Sequence, residues 1–215
     1  MTAAAQAGEP RAGKPPSRRR VRTRDRLLDA AYEVFAEEGF GRATVERVCE
    51  RAGFTRGAFY SNFTSLDELF LAMWGQRSAA LREDLRAALD ALAVDDPTDV
   101  RAAVAGLLAA VPLEEAWFRI TAEFTAHALR TPDLRRVMAE REEAIVAALA
   151  PTVVGALHRA GRTVADPAAL GQALVAVHDG TATQVLMEPG NQMVLGRRAD
   201  LFCHVVLAYS TPIEG

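Results

Sequence analysis

Apolar positions in this chain recur every three or four residues, and no stretch of useful length alternates apolar and polar as a half-buried strand would. Leu27, Leu28, Ala31, Tyr32 and Phe35 share one helical face that Gly39 closes, predicting a first helix over about 24–38. Val45, Val48, Cys49 and Ala52 form the next face. Thr44 precedes it with a hydroxyl able to accept an orphan amide, and Gly53 follows as a C-terminal stop. Thr55 is a second N-cap candidate and opens a short helix near 56–62. Ser65 starts a fourth helix, with Asp67 and Glu68 in the first turn where acids complement the dipole. It continues through Leu69, Phe70, Met73 and Trp74 to about Ala93. Further helices are expected near 98–110, 113–130, 133–160, 167–187 and 197–210, parted at Pro97, Pro112, Pro132, Gly161, Pro167 and Pro189-Gly190. Pro151 lies inside the longest and predicts a kink or a split. The expected fold class is all-α, a small N-terminal bundle followed by a larger C-terminal one.

Composition narrows the class. Half of the 215 residues are hydrophobic and a quarter charged, the balance of a globular protein. No apolar run approaches the ~18 residues of a membrane span, and no apolar stretch follows the basic N-terminus as in a signal peptide. A cytoplasmic protein with no membrane partner is expected. Cys49 and Cys203 are too few and too far apart for a disulfide framework or zinc cluster, and read as small buried hydrophobes. The net charge of −3 hides a local excess: Arg11, Lys14, Arg18, Arg19, Arg20, Arg22, Arg24 and Arg26 face only Asp25 over residues 11–26. Residues 1–22, rich in Ala, Gly, Pro and Arg, show no apolar period and are expected to form a flexible basic arm. Such an arm attracts DNA phosphate whether it tracks a groove or stays solvated.

The stretch RAGFTRGAFYSNF, residues 51–63, concentrates the chemistry. Two short helices joined by Ala52-Gly53-Phe54-Thr55 match a helix-turn-helix, whose second helix enters the major groove while the first crosses the backbone. Phe59 and Phe63, four apart, are expected to pack inward. Arg56, Gly57, Tyr60 and Ser61 then share the opposite side. Gly57 removes bulk where backbone must approach DNA, Tyr60 offers a hydroxyl to phosphate, and Arg56 suits a guanine edge or a phosphate.

The longer stretch TRDRLLDAAYEVFAEEGFGRATVERVCERAGFTRGAFYSNFTSLDELFLAMW resembles, nearly end to end, the DNA-binding domain of TetR-family transcriptional repressors. The combination of an aromatic-Tyr-x-x-Phe ending with Ser-x-Asp-Glu-Leu makes the resemblance specific. It implies an arm over 1–22, a DNA-binding domain over 23–74, and an effector-binding and dimerisation domain over 75–215. The partners it implies are a partly palindromic double-stranded operator, a second copy of the chain and a small-molecule effector, with no cofactor or metal. By the same resemblance Thr44 caps the second helix and touches phosphate, and Thr55, Arg56 and Gly57 start the recognition helix. Tyr60 matches a phosphate-binding tyrosine. Asn62 stands where histidine is usual and Leu66 where lysine is, which makes the backbone contacts less charged and shifts weight to the arm. Arg22 at its end joins Ser61 and Asn62 among the expected DNA contacts.

The C-terminal half gives architecture more than chemistry. The two late helices sit where the family builds its four-helix dimer interface, for which Leu170, Leu174, Val177, Leu201 and Val205 are the expected side chains, with Leu207 consistent and glycines at 171 and 180 allowing close approach. Trp117, Phe118, Phe124, His127 and Met138 are the candidate lining of an effector pocket. Glu123 and His127, four apart, lack a third ligand for a metal, and His178-Asp179 reads as a polar interface pair. The expected function is a repressor released from its operator by a small, largely apolar molecule. An activator or ligand-independent regulator on the same fold is the alternative. An enzyme is disfavoured: there is no G-x-S-x-G, P-loop, zinc spacing or paired carboxylates in a polar setting.

Overall fold

The computed structural model describes residues 18–92 and 99–213. These form the helices α1 (Arg18–Glu38), α2 (Val45–Ala52), α3 (Arg56–Tyr60), α4 (Leu66–Leu92), α5 (Val100–Ala110), α6 (Glu115–Ala128), α7 (Pro132–Arg159), α8 (Pro167–Met187) and α9 (Gln192–Ala208). A 3-10 turn at Phe40–Arg42 and an antiparallel pairing of Arg162–Thr163 with Thr211–Pro212 complete them. The all-α class expected from periodicity is the class observed.

Local chemistry explains most boundaries. The Thr44 and Thr55 hydroxyls accept from the Arg47 and Ala58 amides and cap α2 and α3. Gly53 ends α2 at φ +69°, a left-handed conformation that side chains with a Cβ rarely adopt. The Ser65 hydroxyl accepts from the Glu68 amide, and the Glu68 carboxylate reaches back to the amide and hydroxyl of Thr64, opening α4.

Two helices extend five or more residues ahead of their expected starts, and the longest is not split. Helix α1 already includes Arg18, ahead of the expected start near 24, so residues 18–22 of the expected arm are helical; the remainder of that arm lies outside the described residues. Arginine propagates a helix well without supplying an apolar period, so the pattern could not show this turn. Helix α7 is continuous through Pro151. The carbonyl that loses its partner there belongs to Ala147, which is exposed, so water can satisfy it. Helix α9 begins at Gln192 rather than 197, its first turn capped by the Asn191 side chain on the Met193 amide.

Two apolar cores follow. The first joins α1–α4 to α6 around Phe35, Phe40, Phe59, Phe63, Phe70 and Phe124, with the Phe70 and Phe124 rings stacked at 3.7 Å between centroids. The second joins α5, α7, α8 and α9 through Val104, Leu157, Leu170, Leu174, Phe202, Cys203 and Val206. Both cysteines are buried and unpaired, each thiol pushed up chiefly by that burial. The expected division at residues 74 and 75 falls inside α4, which runs without a break beyond the first core to the buried Leu85 and Leu89.

Candidate nucleic-acid interface and C-terminal cavity

Helix α3 is five residues long, too short to persist without packing. Phe59 and Phe63 are buried and anchor it, with their ring centroids 5.9 Å apart. Arg56, Gly57, Tyr60 and Ser61 are exposed, Tyr60 by 50%. A Cβ on Gly57 would meet nothing nearer than the Thr55 hydroxyl at 3.7 Å, an ordinary contact, so the fold itself does not require glycine there.

The two flanking polar residues are engaged locally. The Ser61 hydroxyl donates to the Gly57 carbonyl at 2.8 Å, and the Asn62 amide donates to the Ala58 carbonyl at 2.8 Å. Both close the end of α3. Leu66, which replaces the lysine usual in the resembled family, is half-buried against the first core.

Arginines from α1 fasten this end of α3. Arg20 donates to the Ser61 carbonyl at 2.9 Å and Arg24 to the Asn62 carbonyl at 3.4 Å, with the Arg24 guanidinium 4.4 Å from the Phe63 ring centroid. Arg26 donates to the Ala52 carbonyl at 2.8 Å and covers Phe54. The N-terminal turn of α1 is thereby held beside α3, and Arg22 is exposed within it. That turn carries no acid. Its arginines oppose the helix dipole, an arrangement that a bound anion relieves.

Other charges are already paired. Arg47 bridges Glu38 and Glu50, and Arg51 bridges Glu33 and Glu37. Arg56 is held by Glu46 at 2.9 Å, in a pair with both side chains more than half exposed.

The expected effector residues lie elsewhere than the cavity. Phe124 is fully buried in the first core, where Trp117 and Met138 also pack, and His127 meets the Asp67 carboxylate at 3.2 Å. Glu123 faces the Gly41 amide at 3.4 Å, so Glu123 and His127 engage different partners. Phe118, on the same helix, is half-buried and does not line the cavity. Helix α6 thus packs onto the first core, with Arg119 donating to the Ala36 carbonyl at 2.6 Å.

An apolar cavity lies instead among α4, α5, α7, α8 and α9. Its empty volume is about 610 Å³, mouth included. Leu85, Leu107, Val146, Val153, Leu174 and Phe202 are among its walls, and His178 is its polar member. Gly171 lines it where α8 crosses α7: a Cβ there would meet Val146 Cγ1 at 2.5 Å. His178 is pressed down to about 4, first by burial and then by the nearby Arg198 cation.

The expected interface residues divide. Leu170 and Leu174, expected at a dimer seam, are buried in the intrachain core and border the cavity; Val177 and Val205 are half-buried on that core. A helix with two apolar faces does not disclose in its sequence which one turns inward. Leu201 is exposed, as are Met187, Met193 and Leu207. Ala176, Gly180 and Thr183 line the outer side of α8.

This arrangement, a capped helix-turn-helix on an α-helical body with an apolar cavity, defines a class of bacterial regulator. Residues 27–73 match the model of bacterial regulatory proteins of the tetR family, and residues 97–199 match that of the BetI-type transcriptional repressor C-terminal domain. The chain belongs to the TetR family. It is 32% identical over 131 residues to the HTH-type transcriptional repressor Rv1474c of Mycobacterium tuberculosis, covering 58% of this chain and 61% of that one. It is 40% identical over 62 residues to the HTH-type transcriptional regulator SrpR of Pseudomonas putida, covering 29% of each. The chain thus spans less than two thirds of the length of these curated relatives. Among solved structures, that of the multidrug binding protein EbrR complexed with imidazole superposes with a TM-score of 0.61 at 26% identity, over 92% of this chain and 96% of that one.

Proposed function

We propose that the chain is a transcriptional repressor that binds a partly palindromic operator as a homodimer and leaves it when a small molecule occupies the C-terminal cavity. The observation that carries the DNA-binding part is the division of α3, with Phe59 buried and Arg56, Gly57 and Tyr60 outward. Two copies must hold their recognition helices about 34–36 Å apart to enter successive major grooves. The exposed faces of α8 and α9 suit that pairing, because the short side chain of Ala176 and the bare Gly180 permit close approach, and Met187, Met193, Leu201 and Leu207 supply apolar area. Release requires that the ligand favour a conformer with mis-spaced helices, by about 5.5 kcal/mol for a 1:99 to 99:1 shift.

Substitution of Tyr60 by Phe tests the interface. The Tyr60 side chain is half exposed and its hydroxyl meets the exposed Arg56, so folding and dimerisation should be unchanged while affinity for the DNA upstream of the gene falls roughly tenfold by fluorescence anisotropy. Unchanged affinity would remove Tyr60 from the contact surface.

A further inference from the structure

The cavity carries a direction for its ligand as well as a shape. Its walls are apolar side chains from five helices, and among the described residues that line it none is charged. Its polar group is the His178 imidazole, and the setting of that ring decides what it presents. Arg198, buried on α9, donates through Nη1 to the Thr181 hydroxyl at 2.5 Å and to the His178 carbonyl at 3.2 Å. Its Nη2 lies 3.0 Å from His178 Nδ1.

A guanidinium has donors only. Nδ1 must therefore accept, and in a neutral ring the proton then sits on Nε2. Arg198 also sets its own positive charge against protonation of the ring, which keeps the imidazole neutral at ordinary pH. No described residue supplies an acceptor for Nε2, and no described side-chain nitrogen or oxygen is both buried and unpaired. The Nε2–H is left as a donor on the ring that borders the cavity.

We propose that the cavity selects an uncharged, mainly apolar molecule with one hydrogen-bond acceptor, such as a carbonyl or ether oxygen, held by His178 Nε2–H. A carboxylate would lose its hydration for a single neutral donor, and a cation would find no acceptor on the ring. A pure hydrocarbon filling the cavity would cover the Nε2–H without giving it a partner, the kind of mismatch that a polar-tipped pocket rejects. Arg198 acts as a positioning residue: it touches no ligand but fixes which ring nitrogen carries the proton.

This proposal rests on the cavity being the effector site, and its test is run on the full chain without DNA so that the two stand or fall separately. The probes are 2-acetylnaphthalene, its isosteric alkene 2-isopropenylnaphthalene, and 2-naphthoate, titrated by calorimetry. The ketone should bind about tenfold more tightly than the alkene, with naphthoate weakest. His178→Phe should keep the alkene affinity within about twofold and abolish the ketone's advantage. Nitrogen-15 spectra of the ligand-free wild type, which need no variant to fold, should report a neutral Nε2–H ring at pH 7. Binding of none of the probes, equal binding of ketone and alkene, tighter binding of naphthoate, or an Nδ1–H or charged ring would each overturn the proposal. Loss of operator binding in a separate DNA titration would instead sink the repressor reading and leave the cavity's preference standing.

Discussion

At the scale of single residues, α3 separates side chains that the fold buries from those left outward for the proposed operator. Gly57 is the clearest case, because no neighbouring atom forbids a Cβ there. Gly57→Ala should leave thermal stability unchanged or raise it by up to about 1 kcal/mol, as alanine is the better helix former. If the proposed operator contact at α3 holds, operator affinity should still fall about tenfold in an anisotropy titration, since the added methyl would stand between the backbone and phosphate. Glu46 poses the opposite case. It occupies Arg56 in the free protein at 2.9 Å, and an exposed pair of this kind adds little to stability. Glu46→Gln should change unfolding by less than about 0.5 kcal/mol yet tighten DNA binding by roughly two- to fivefold at low salt. A gain that persists undiminished at high salt would argue against electrostatic competition.

At the scale of elements, α8 carries the pH sensitivity. His178 is neutral in the folded chain because burial and then Arg198 lower it to about 4, against about 6.5 when unfolded. A depressed histidine leaves stability intact above the unfolded value. As pH falls from about 6.5 toward 4 the unfolded chain takes up a proton that the folded chain refuses, so stability is lost. Between pH 7 and pH 5 the wild type should lose about 2 kcal/mol more than His178→Phe in urea unfolding at fixed protein concentration. Equal losses would mean that the ring is not held neutral. The same helix shows why element boundaries were more legible than element faces. Asp166 and Pro167 announce where α8 starts, and the observed span Pro167–Met187 is the expected one. Leu170 and Leu174 nevertheless belong to the intrachain core, while Leu201 of α9 faces out. Caps are written in adjacent residues, whereas the inward face depends on helices far away in the chain.

At the scale of the whole molecule, α4 runs from the first core to the wall of the cavity, and α6 packs on the first core. Phe124 stacks on Phe70, Arg119 donates to the Ala36 carbonyl and His127 meets Asp67, so α6 is tied to α1 and α4. The predicted homodimer is testable at its exposed face. Leu201→Arg places a charge on a side chain that is 44% exposed, so the monomer should stay folded, with helicity unchanged by circular dichroism. Sedimentation should show the dimer dissociating, and operator affinity should fall by at least about a hundredfold because one recognition helix cannot span two half-sites.

Sequence by itself determined the helical class, the caps at Thr44 and Thr55, the glycine stop at 53 and the two faces of RAGFTRGAFYSNF, since each depends on residues a few positions apart. It also supplied the family resemblance, which rests on the same local run. Only the tertiary structure decided that Trp117, Phe124, His127 and Met138 belong to the DNA-side core, that the cavity lies against α7 and α8, and that Arg198 sets the proton on His178. A cavity is the space left between helices distant in the chain, and a tautomer is set by a donor from another helix. Neither leaves a period or a spacing for the sequence to show.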